Sequence, residues 1–380
     1  MIGSMFAYGV FFPALEAELG WSRTLLSACI SFSFLVMGCG AIGAGHLNDA
    51  FGARWVMVSA GVLYGLGYVL MYFLQAPWQL FALYGVFIGL GLATHDVVTL
   101  SIIARNFSRR RGAMSGVVKV GTACGQIIIP LAVSALLAAY GWRIAFVVLG
   151  ISAGLLLSFA GYWLGMKVDS GVQTLGTAPL QRAGMPFAQA LRSRQLWTLC
   201  LTQFAFFPTL VTIPVHLPVL AQDIGLSAAR AAALLAVIGG ASIVGRLLVG
   251  AGSDRIGGRM SMLSCLLVLT ASLIYLTAAK THTELLIFAC IYGIGHGGLF
   301  TVVSPTIAEY FGMRAHGALF GVVLFCGTLG AALGPLTAGW VFDKTGSYDT
   351  AFWGLAVFAA IAVALIVSLP RPALEPGAPN

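Results

Sequence analysis

Two short polar stretches of this chain share one pattern, and that pattern decides how the rest of the sequence is organised. Residues 45–54 read GHLNDAFGAR, and residues 250–259 read GAGSDRIGGR. The matching positions are a glycine, an aspartate, a glycine and an arginine: Gly45, Asp49, Gly52 and Arg54 in the first copy, and Gly250, Asp254, Gly257 and Arg259 in the second. Each copy lies in a polar gap between two long apolar runs, so the sequence predicts a membrane protein with two related halves.

The composition supports a membrane protein. Only 8% of the residues are charged and 59% are hydrophobic, whereas a soluble domain has about 25% charged residues. A helix needs about 20 apolar residues to cross the bilayer core. One short and eleven full-length apolar runs meet or approach this length, at residues 1–15, 24–48, 54–74, 79–104, 112–138, 143–166, 195–221, 227–250, 259–279, 284–308, 316–341 and 350–369.

The first of these runs is too short to cross a bilayer. Residues 1–15 make about 22 Å of helix, against a hydrocarbon core of about 30 Å. Glu16 and Glu18 end the run, and it lacks the basic front end and cleavage site of a signal peptide. We therefore expect that the start is truncated and that further residues complete helix 1.

The basic residues predict the orientation in the membrane. The net charge of +8 would suit a nucleic-acid partner, but the positions of the basic residues indicate membrane topology instead. Thirteen Lys and Arg residues fall in gaps or tails on one side of the membrane, and only five fall on the other. The positive-inside rule then makes the first side cytoplasmic. We expect a multi-pass protein of the plasma (inner) membrane with both termini in the cytoplasm.

The repeat extends beyond the opening motif and divides the chain. Pro130 and Pro335 match at the same offset of 205 residues as the two motifs, and the longest polar interruption lies at residues 167–193. The predicted units are a six-helix half at 1–166, a cytoplasmic linker at 167–193, a second six-helix half at 194–371 and a tail at 372–380. Parallel halves with an even number of helices are related by an axis along the membrane normal, an arrangement found in secondary transporters.

The repeated Gly-x-x-x-Asp-x-x-Gly-x-Arg gap resembles the signature loop of the major facilitator superfamily. That resemblance implies an all-α membrane fold with about twelve transmembrane helices in two six-helix halves. Segments at residues 20–23, 107–112, 215–218 and 245–246 resemble the monocarboxylate transporter family and its bacterial relatives, which include oxalate:formate antiporters. The resemblance implies a secondary transporter that works by rocker-switch alternating access.

Arg246 is the strongest candidate for binding a substrate. A charge at the bilayer centre costs about 2.5–3.5 kcal/mol, and Arg246 lies about 12 Å along its helix from Asp254. A guanidinium binds a carboxylate through two parallel hydrogen bonds, and the resemblance implies a carboxylate-binding Arg in helix 8. Animal proton-coupled members have an Asp at the position of Ser242 and a Lys in helix 1, near Phe6. This sequence has neither the Asp nor the Lys at those positions, which argues against the proton carrier that those members use.

Three further ionisable residues lie deep in the apolar runs of the first half. Lys119 is either a second anion contact, a partner of Asp96, or a residue whose stem reaches the cytoplasmic surface. Asp96, beside His95, either carries a proton or holds Lys119 or Arg246 until the substrate competes. The two positive charges of Lys119 and Arg246 and the negative charge of Asp96 sum to one positive charge, which favours an anionic substrate.

Two histidines in the second half are further candidates for substrate or proton binding. His216 lies near the outer end of helix 7 between Pro214 and Pro218. It is either a gate or proton-entry residue or an interfacial side chain bonded to a freed carbonyl. His296 lies in a glycine-rich stretch of helix 10, where packing or hydrogen bonding is the simpler role and proton coupling the alternative.

The repeated motifs themselves predict a conformational role. Asp49 and Asp254 would cap a helix N-terminus or pair with an Arg, and the flanking glycines permit a tight turn. The family resemblance implies a latch that holds one conformation. Glycines within two other helices predict close helix packing, at Gly121, Gly125, Gly327, Gly330 and Gly334.

The sequence favours a transporter of small monocarboxylates such as lactate or pyruvate, coupled to a proton. It contains no Walker loop, nucleotide fingerprint or paired Cys/His metal spacing, so we expect no cofactor, no metal and no enzymatic activity. We expect a monomer whose partners are an organic anion, a proton and the lipid bilayer, without nucleic acid. The alternatives are an organic-anion exchanger or efflux carrier of the same fold, and a carboxylate-sensing membrane receptor.

Overall fold

The structure is a computed structural model that describes the backbone of residues 1–94, 111–174 and 184–370. Within these ranges, the side chains of a few helical residues are not described, at 42, 45, 46, 48–53, 111–112 and 164–174. His95 and Asp96 therefore lie outside the described residues. The side-chain positions of Asp49, Gly45 and Gly52 are likewise outside the description.

The described chain is built from helices. They are α1 (Ile2–Phe6), α2 (Tyr8–Leu19), α3 (Arg23–Leu70), α4 (Pro77–Leu80), α5 (Arg111–Thr174), α6 (Phe187–Ala190), α7 (Arg194–Asp223), α8 (Ala228–Ile256), α9 (Gly258–Ala278), α10 (His282–Phe311), α11 (His316–Thr345) and α12 (Asp349–Ser368). A 3-10 turn at Met71–Phe73 ends α3, and a π-helical stretch at Phe81–Ile88 continues α4. The only β-pairing among the described residues is an isolated bridge between Gly184 and Gly312.

Local sequence signals set the ends of several helices. The Ser227 hydroxyl accepts a hydrogen bond from the backbone N–H of Arg230 at the start of α8, which satisfies one of the unpaired N–H groups of the first turn. Thr281 and Glu284 form a reciprocal capping box at the start of α10. Gly20 ends α2 at φ 66°, a left-handed conformation that costs glycine little.

The described helices reproduce the predicted membrane spans. Ten segments are long and apolar enough to cross a membrane, and one of them, Ala113–Trp163, has 51 residues. Gly141 divides this segment, because its φ of 77° and ψ of 172° are not helical. The described residues thus contain eleven segments of spanning length, as the sequence predicted, preceded by the short helices α1 and α2. The backbone of α3 (Arg23–Leu70) is helical throughout, so the turn predicted between the runs at 24–48 and 54–74 is wrong. The prolines of α7 and α10 lie inside continuous helices, so neither helix is interrupted.

Glycines allow helices within each half to approach one another closely. A Cβ atom on Gly330 would overlap the carbonyl oxygen of Phe204, and one on Gly334 would overlap the Thr212 hydroxyl. Gly125 and Gly327 also pack against neighbouring helices, which confirms the predicted packing at four of the five glycines. For Gly121 the prediction is not confirmed, since no atom of the described residues lies within 4 Å of an added Cβ.

Candidate functional site

A cavity lies between residues of the first and second halves of the chain. Its enclosed volume is about 40 Å³, which is room for a few water molecules. Its larger apolar side chains are Met5, Phe6, Phe34, Met37 and Leu92 from before the 167–193 segment, and Phe207, Leu210, Val211, Phe300, Leu324 and Phe325 from after it. The described part of the wall is therefore mainly apolar and is contributed by both halves.

Among the described residues of this wall, Thr328 is the one with a hydroxyl group. Its hydroxyl donates a hydrogen bond of 2.8 Å to the backbone carbonyl of Phe325. Its proton is thus already used within α11, so the described wall offers little to a polar ligand.

Two polar side chains lie directly behind the cavity wall. Arg246 and His296 are both fully buried. The Arg246 guanidinium carbon lies 5.9 Å from the ring centroid of Phe300. The His296 ring lies 5.0 Å from that of Phe300 and 5.6 Å from that of Phe6. Because Phe6 and Phe300 both line the cavity, Arg246 and His296 lie one side chain away from it, on the side of Phe300.

Close packing of α5 and α10 against α8 brings further polar groups to this side. A Cβ on Gly297 would overlap the backbone carbonyl of Ser242, and one on Gly116 would lie 2.6 Å from the carbonyl oxygen of Arg246. Lys119, one turn along α5 from Gly116, is also buried. We call Lys119, Gln126, Ser242, Arg246 and His296 the polar cluster.

Hydrogen bonding within the polar cluster is uneven. The Ser242 hydroxyl donates to the carbonyl of Gly239 at 2.9 Å and to Gln126 Oε1 at 3.3 Å. Neither ring nitrogen of His296 has a hydrogen-bond partner among the described residues, although both are buried. Gln126 was not predicted as a site residue, although its amide is an unusual polar group inside a long apolar run.

A second polar group, which we call the Arg23 cluster, lies at the predicted outer end of the molecule. It consists of Glu16, Arg23, Asp223, Asp343 and Tyr348. The Arg23 guanidinium binds Asp223 through two hydrogen bonds of 2.6 and 2.8 Å. It also donates to Glu16 at 2.9 Å and to the Tyr348 hydroxyl at 3.0 Å. Burial raises the pKa of the Tyr348 phenol, so it stays protonated at neutral pH.

The Arg23 cluster joins the two halves. Asp343 accepts backbone hydrogen bonds from Arg23 and Thr24, at 3.2 and 2.8 Å, and so caps the start of α3 from across the interface. The Arg23 guanidinium also lies 3.8 Å from the ring centroid of Phe342. The sequence predicted only that Arg23 lies on the outer side of the membrane. Its contacts across the two halves were not predicted, although the segment at residues 20–23 was part of the family resemblance.

His216 belongs with the Arg23 cluster and not with the cavity wall. Its Nδ1 lies 3.0 Å from the Tyr348 hydroxyl, and its Nε2 lies 3.2 Å from the carbonyl of Pro335 and 3.3 Å from the Ser27 hydroxyl. Of the four predicted substrate-binding residues, Arg246 and Ser242 lie one turn apart on α8, and Lys119 is buried on α5, which packs against α8 at Gly116. The structure places His216 apart from them, at the outer closure.

A further ionic contact at this end stays within the first half. Glu18 accepts hydrogen bonds from the Arg143 guanidinium and from Trp142 Nε1, the latter at 2.6 Å. The hydrogen bond from Arg143, followed by that from Trp142, lowers the pKa of Glu18.

The second copy of the repeated motif lies at the opposite, predicted cytoplasmic end. Asp254 Oδ2 accepts a hydrogen bond of 3.1 Å from the backbone N–H of Ala113, in the first turn of α5. This contact with a helix N-terminus is one of the two roles that the sequence suggested for Asp254. Near it, the Cβ position of Gly116 lies 3.7 Å from the Cα of Gly250.

Other residues of the motif hold the turn between α8 and α9. Gly257 adopts φ 82°, and the next N–H, that of Gly258, donates to Glu309 at 2.6 Å. Arg259 donates to the carbonyls of Ile366 and Val367 at 3.2 and 2.8 Å. In the first copy, Arg54 stacks on Tyr162, with its guanidinium carbon 3.8 Å from the ring centroid.

No group of three or more metal-binding side chains occurs in the part of the chain that the structure describes. What the geometry offers is a buried guanidinium and an imidazole beside an apolar cavity, with inter-half contacts at both ends. Among the described residues, this arrangement contains no nucleophile paired with a base.

Comparison with known proteins identifies the family. The sequence model of the Major Facilitator Superfamily matches residues 1–279 and 217–380, which together span the chain. The chain belongs to the major facilitator superfamily. The resemblance stated from the repeated motif is thus confirmed, and this superfamily member is a multi-pass membrane transporter and not an enzyme.

The relatives and the fold agree with this assignment. The chain is 27% identical to monocarboxylate transporter 13 of Rattus norvegicus, over 98% of this chain and 86% of that protein. It is 29% identical to rat monocarboxylate transporter 3, over 92% and 74% respectively. It is 26% identical to the uncharacterized transporter YhjX of Escherichia coli (strain K12), over 85% and 80%.

Among solved structures, the proton:xylose symporter XylE matches this superfamily member with a TM-score of 0.70, over 97% of this chain and 94% of that one. The sequence identity is 15%, so this likeness establishes the fold alone. The predicted all-α major facilitator fold is confirmed.

Proposed function

We propose that the protein carries small monocarboxylates, of which lactate and pyruvate are the simplest, together with a proton. The observation that carries this proposal is Arg246, a fully buried arginine beside a cavity between the two halves. A guanidinium presents two parallel N–H groups that match a carboxylate. Burying such a charge inside a membrane protein is costly, which makes an intramembrane arginine a functional residue by default.

The relatives support the same class of substrate. Several of them are named monocarboxylate transporters and align over most of both chains. The polar cluster also contains the ammonium group of Lys119, which adds positive charge near the helix that carries Arg246. These observations favour an anion over a sugar or a cation as the cargo.

Alternating access would use the contacts at the two ends of the cavity. The Arg23 cluster closes the predicted outer end, and the Asp254 contact with α5 lies at the predicted cytoplasmic end. We propose that the halves, 1–166 and 194–371, rock about the cavity so that one set of contacts breaks while the other holds. In this arrangement a monomer in the plasma membrane, with cytoplasmic termini, is sufficient for transport.

Proton coupling follows from the charge of the loaded site. A bound carboxylate neutralises one positive charge, and a co-transported proton would restore the charge of the empty site. Asp96, His95, His216 and His296 are the proposed proton carriers. His296 is the one of these whose described position adjoins Arg246, through Phe300.

The test is uptake of labelled lactate and pyruvate by the purified protein in liposomes, with and without an inward proton gradient. We expect uptake that the gradient stimulates and that Arg246→Ala abolishes. Gradient-independent uptake that is stimulated by carboxylate inside the liposomes would establish an exchanger and refute the proton step. Binding of carboxylate without any flux would refute transport and favour a sensor.

A further inference from the structure

His216 lies where the two halves meet at the predicted outer end. It is fully buried in α7, and its Nε2 lies 3.3 Å from the hydroxyl of Ser27, on α3 of the first half. Its other hydrogen-bond partners belong to the second half: the carbonyl of Pro335 at 3.2 Å and the Tyr348 hydroxyl at 3.0 Å. We infer that this imidazole is a proton-binding site that operates the outer closure: the closed state holds it neutral, and a proton bound there opens the closure. The inference goes beyond the proposed function, because it requires no substrate.

The hydrogen bonds of the closed state require the neutral imidazole in one tautomer. A backbone carbonyl can only accept, so Nε2 of His216 carries the proton and donates to Pro335. Nδ1 of a neutral imidazole then has no proton, and the Tyr348 hydroxyl must donate to it. The phenol oxygen in turn accepts from the Arg23 guanidinium at 3.0 Å. One continuous chain of hydrogen bonds therefore runs from Pro335 to Arg23.

A proton added to Nδ1 of His216 breaks this chain. Both ring nitrogens then donate, and the Tyr348 hydroxyl has to turn its own proton away. The phenol oxygen would accept from two cations, the imidazolium and the Arg23 guanidinium, with one hydroxyl group between their charges. Like charges held close together in a buried site disfavour the charged form of each. In the open state, water can solvate the imidazolium and relieve the conflict.

The carboxylates of the Arg23 cluster are already bound elsewhere in the closed state. Asp343, from α11, accepts from backbone N–H groups at the start of α3. Asp223 and Glu16 accept from the Arg23 guanidinium. From α2, the ring of Phe12 packs against the imidazole with 5.6 Å between the ring centroids. A charge on the imidazole would therefore lack a free carboxylate among the described groups of the cluster, and an unpaired buried charge is costly.

The size of the acid response follows from the titration of an ordinary imidazole. An imidazole in water has a pKa of about 6.5. If the open state alone takes up the proton, lowering the pH from 8 to 5.5 raises the ratio of open to closed molecules about tenfold. Carboxyl groups ordinarily titrate near pH 4, so this interval of pH reports on histidine.

The test is a distance measurement across the predicted outer end. Gln75 and Lys280 are exposed residues of the first and second halves, and spin labels are attached at Gln75→Cys and Lys280→Cys after the seven native cysteines are replaced. Double electron–electron resonance in liposomes, without any carboxylate substrate, gives the distance distribution at pH 8 and pH 5.5. We expect the longer-distance population to gain about tenfold over the shorter one at pH 5.5. An unchanged distribution would overturn the inference.

Variants assign the acid response to one histidine. His216→Gln and His216→Asn remove the titratable ring and keep an amide N–H, so either variant should give the same distribution at both pH values. The matched control is His282→Gln, which removes a half-buried histidine from the start of α10 at the same end and should keep the full response. Thermal unfolding verifies that each variant is folded. A full acid response in a folded His216 variant would overturn the assignment.

The outcomes distinguish this inference from the proposed function. Counterflow of lactate by a protein whose outer end does not respond to acid would refute the inference and leave monocarboxylate transport standing. Opening by acid in a protein that carries no monocarboxylate would refute the proposed function and support the inference.

Discussion

The outer closure rests on a small number of contacts, and Arg23 makes most of them. Arg23→Gln removes the paired hydrogen bonds to Asp223 and the bond to Glu16. Glutamine has no charge and cannot form the bidentate contact. The bonds that Asp343 accepts from backbone N–H groups remain. The substitution should therefore weaken the closed state at the outer end without removing its other contacts.

The size of the effect follows from the exposure of the pair. A hydrogen bond to a charged group contributes about 1.5–3 kcal/mol when it is buried, and an exposed ion pair contributes about 0–1 kcal/mol. The side chain of Arg23 is 9% exposed and that of Asp223 is 32% exposed, so the pair lies between these cases. We take about 1–2 kcal/mol, which shifts the ratio of closed to open molecules by about 5–30-fold.

The shift is measurable as the reactivity of a buried thiol. Ser27 is fully buried beside His216, so Ser27→Cys reports opening of the outer end once the seven native cysteines are replaced. Arg23→Gln should raise the rate of labelling by an impermeant maleimide about 5–30-fold. The control is Arg143→Gln, which breaks a contact within the first half and should leave the rate unchanged. Equal rates in both variants would refute the assignment of Arg23 to the closure.

Further predictions concern packing, the second repeated motif and pH. Gly297→Ala should destabilise the protein by about 1–3 kcal/mol because the added Cβ overlaps Ser242, whereas Gly321→Ala, with no atom within 4 Å, should not; thermal unfolding in detergent compares the two. Asp254→Asn weakens the contact with the N-terminus of α5 by about 0.3–1 kcal/mol. The cytoplasmic end should therefore open more often, and an impermeant maleimide applied from that side should label thiols faster. An unchanged labelling rate from that side would contradict the role given to Asp254. Glu18 has a lowered pKa in the folded protein. Its contribution to the free energy of unfolding is therefore fully present above the pKa of the unfolded chain, about 4.3, and is lost as the pH falls through the pKa of the folded protein. Glu18→Gln should therefore lower the melting temperature at pH 7 and have a shrinking effect below about pH 4; a pH-independent loss would contradict the cause given for the pKa shift.

The fold followed from local features of the sequence. Apolar length fixes a transmembrane helix because unsatisfied backbone groups are costly in lipid, so the described part of each run is helical, although the runs at 24–48 and 54–74 form the one continuous helix α3. The break between the fifth and sixth runs appeared in the structure at Gly141. The glycine positions predicted close packing at four sites but not at Gly121, because a helical glycine faces a neighbour on one side only and the sequence does not give the side.

The site was predictable to the extent that a charge in an apolar run is unusual. Arg246 and Lys119 were found in this way, and His296 was found from its glycine-rich surroundings. The cavity wall was not predictable, because Val211 and Val357 look alike in sequence although one faces the cavity and the other is exposed. The Arg23 cluster was missed because it pairs side chains 200 residues apart, and nothing local indicates which loops meet.

The central claim is that Arg246 binds the carboxylate of a transported monocarboxylate. The most direct measurement is counterflow of labelled lactate and of labelled pyruvate in liposomes that contain the unmodified protein, Arg246→Lys or Arg246→Gln. The account predicts counterflow by the unmodified protein, a strong loss in Arg246→Lys, which keeps the charge without the paired N–H groups, and no counterflow in Arg246→Gln. Counterflow in Arg246→Gln at the rate of the unmodified protein would contradict the account.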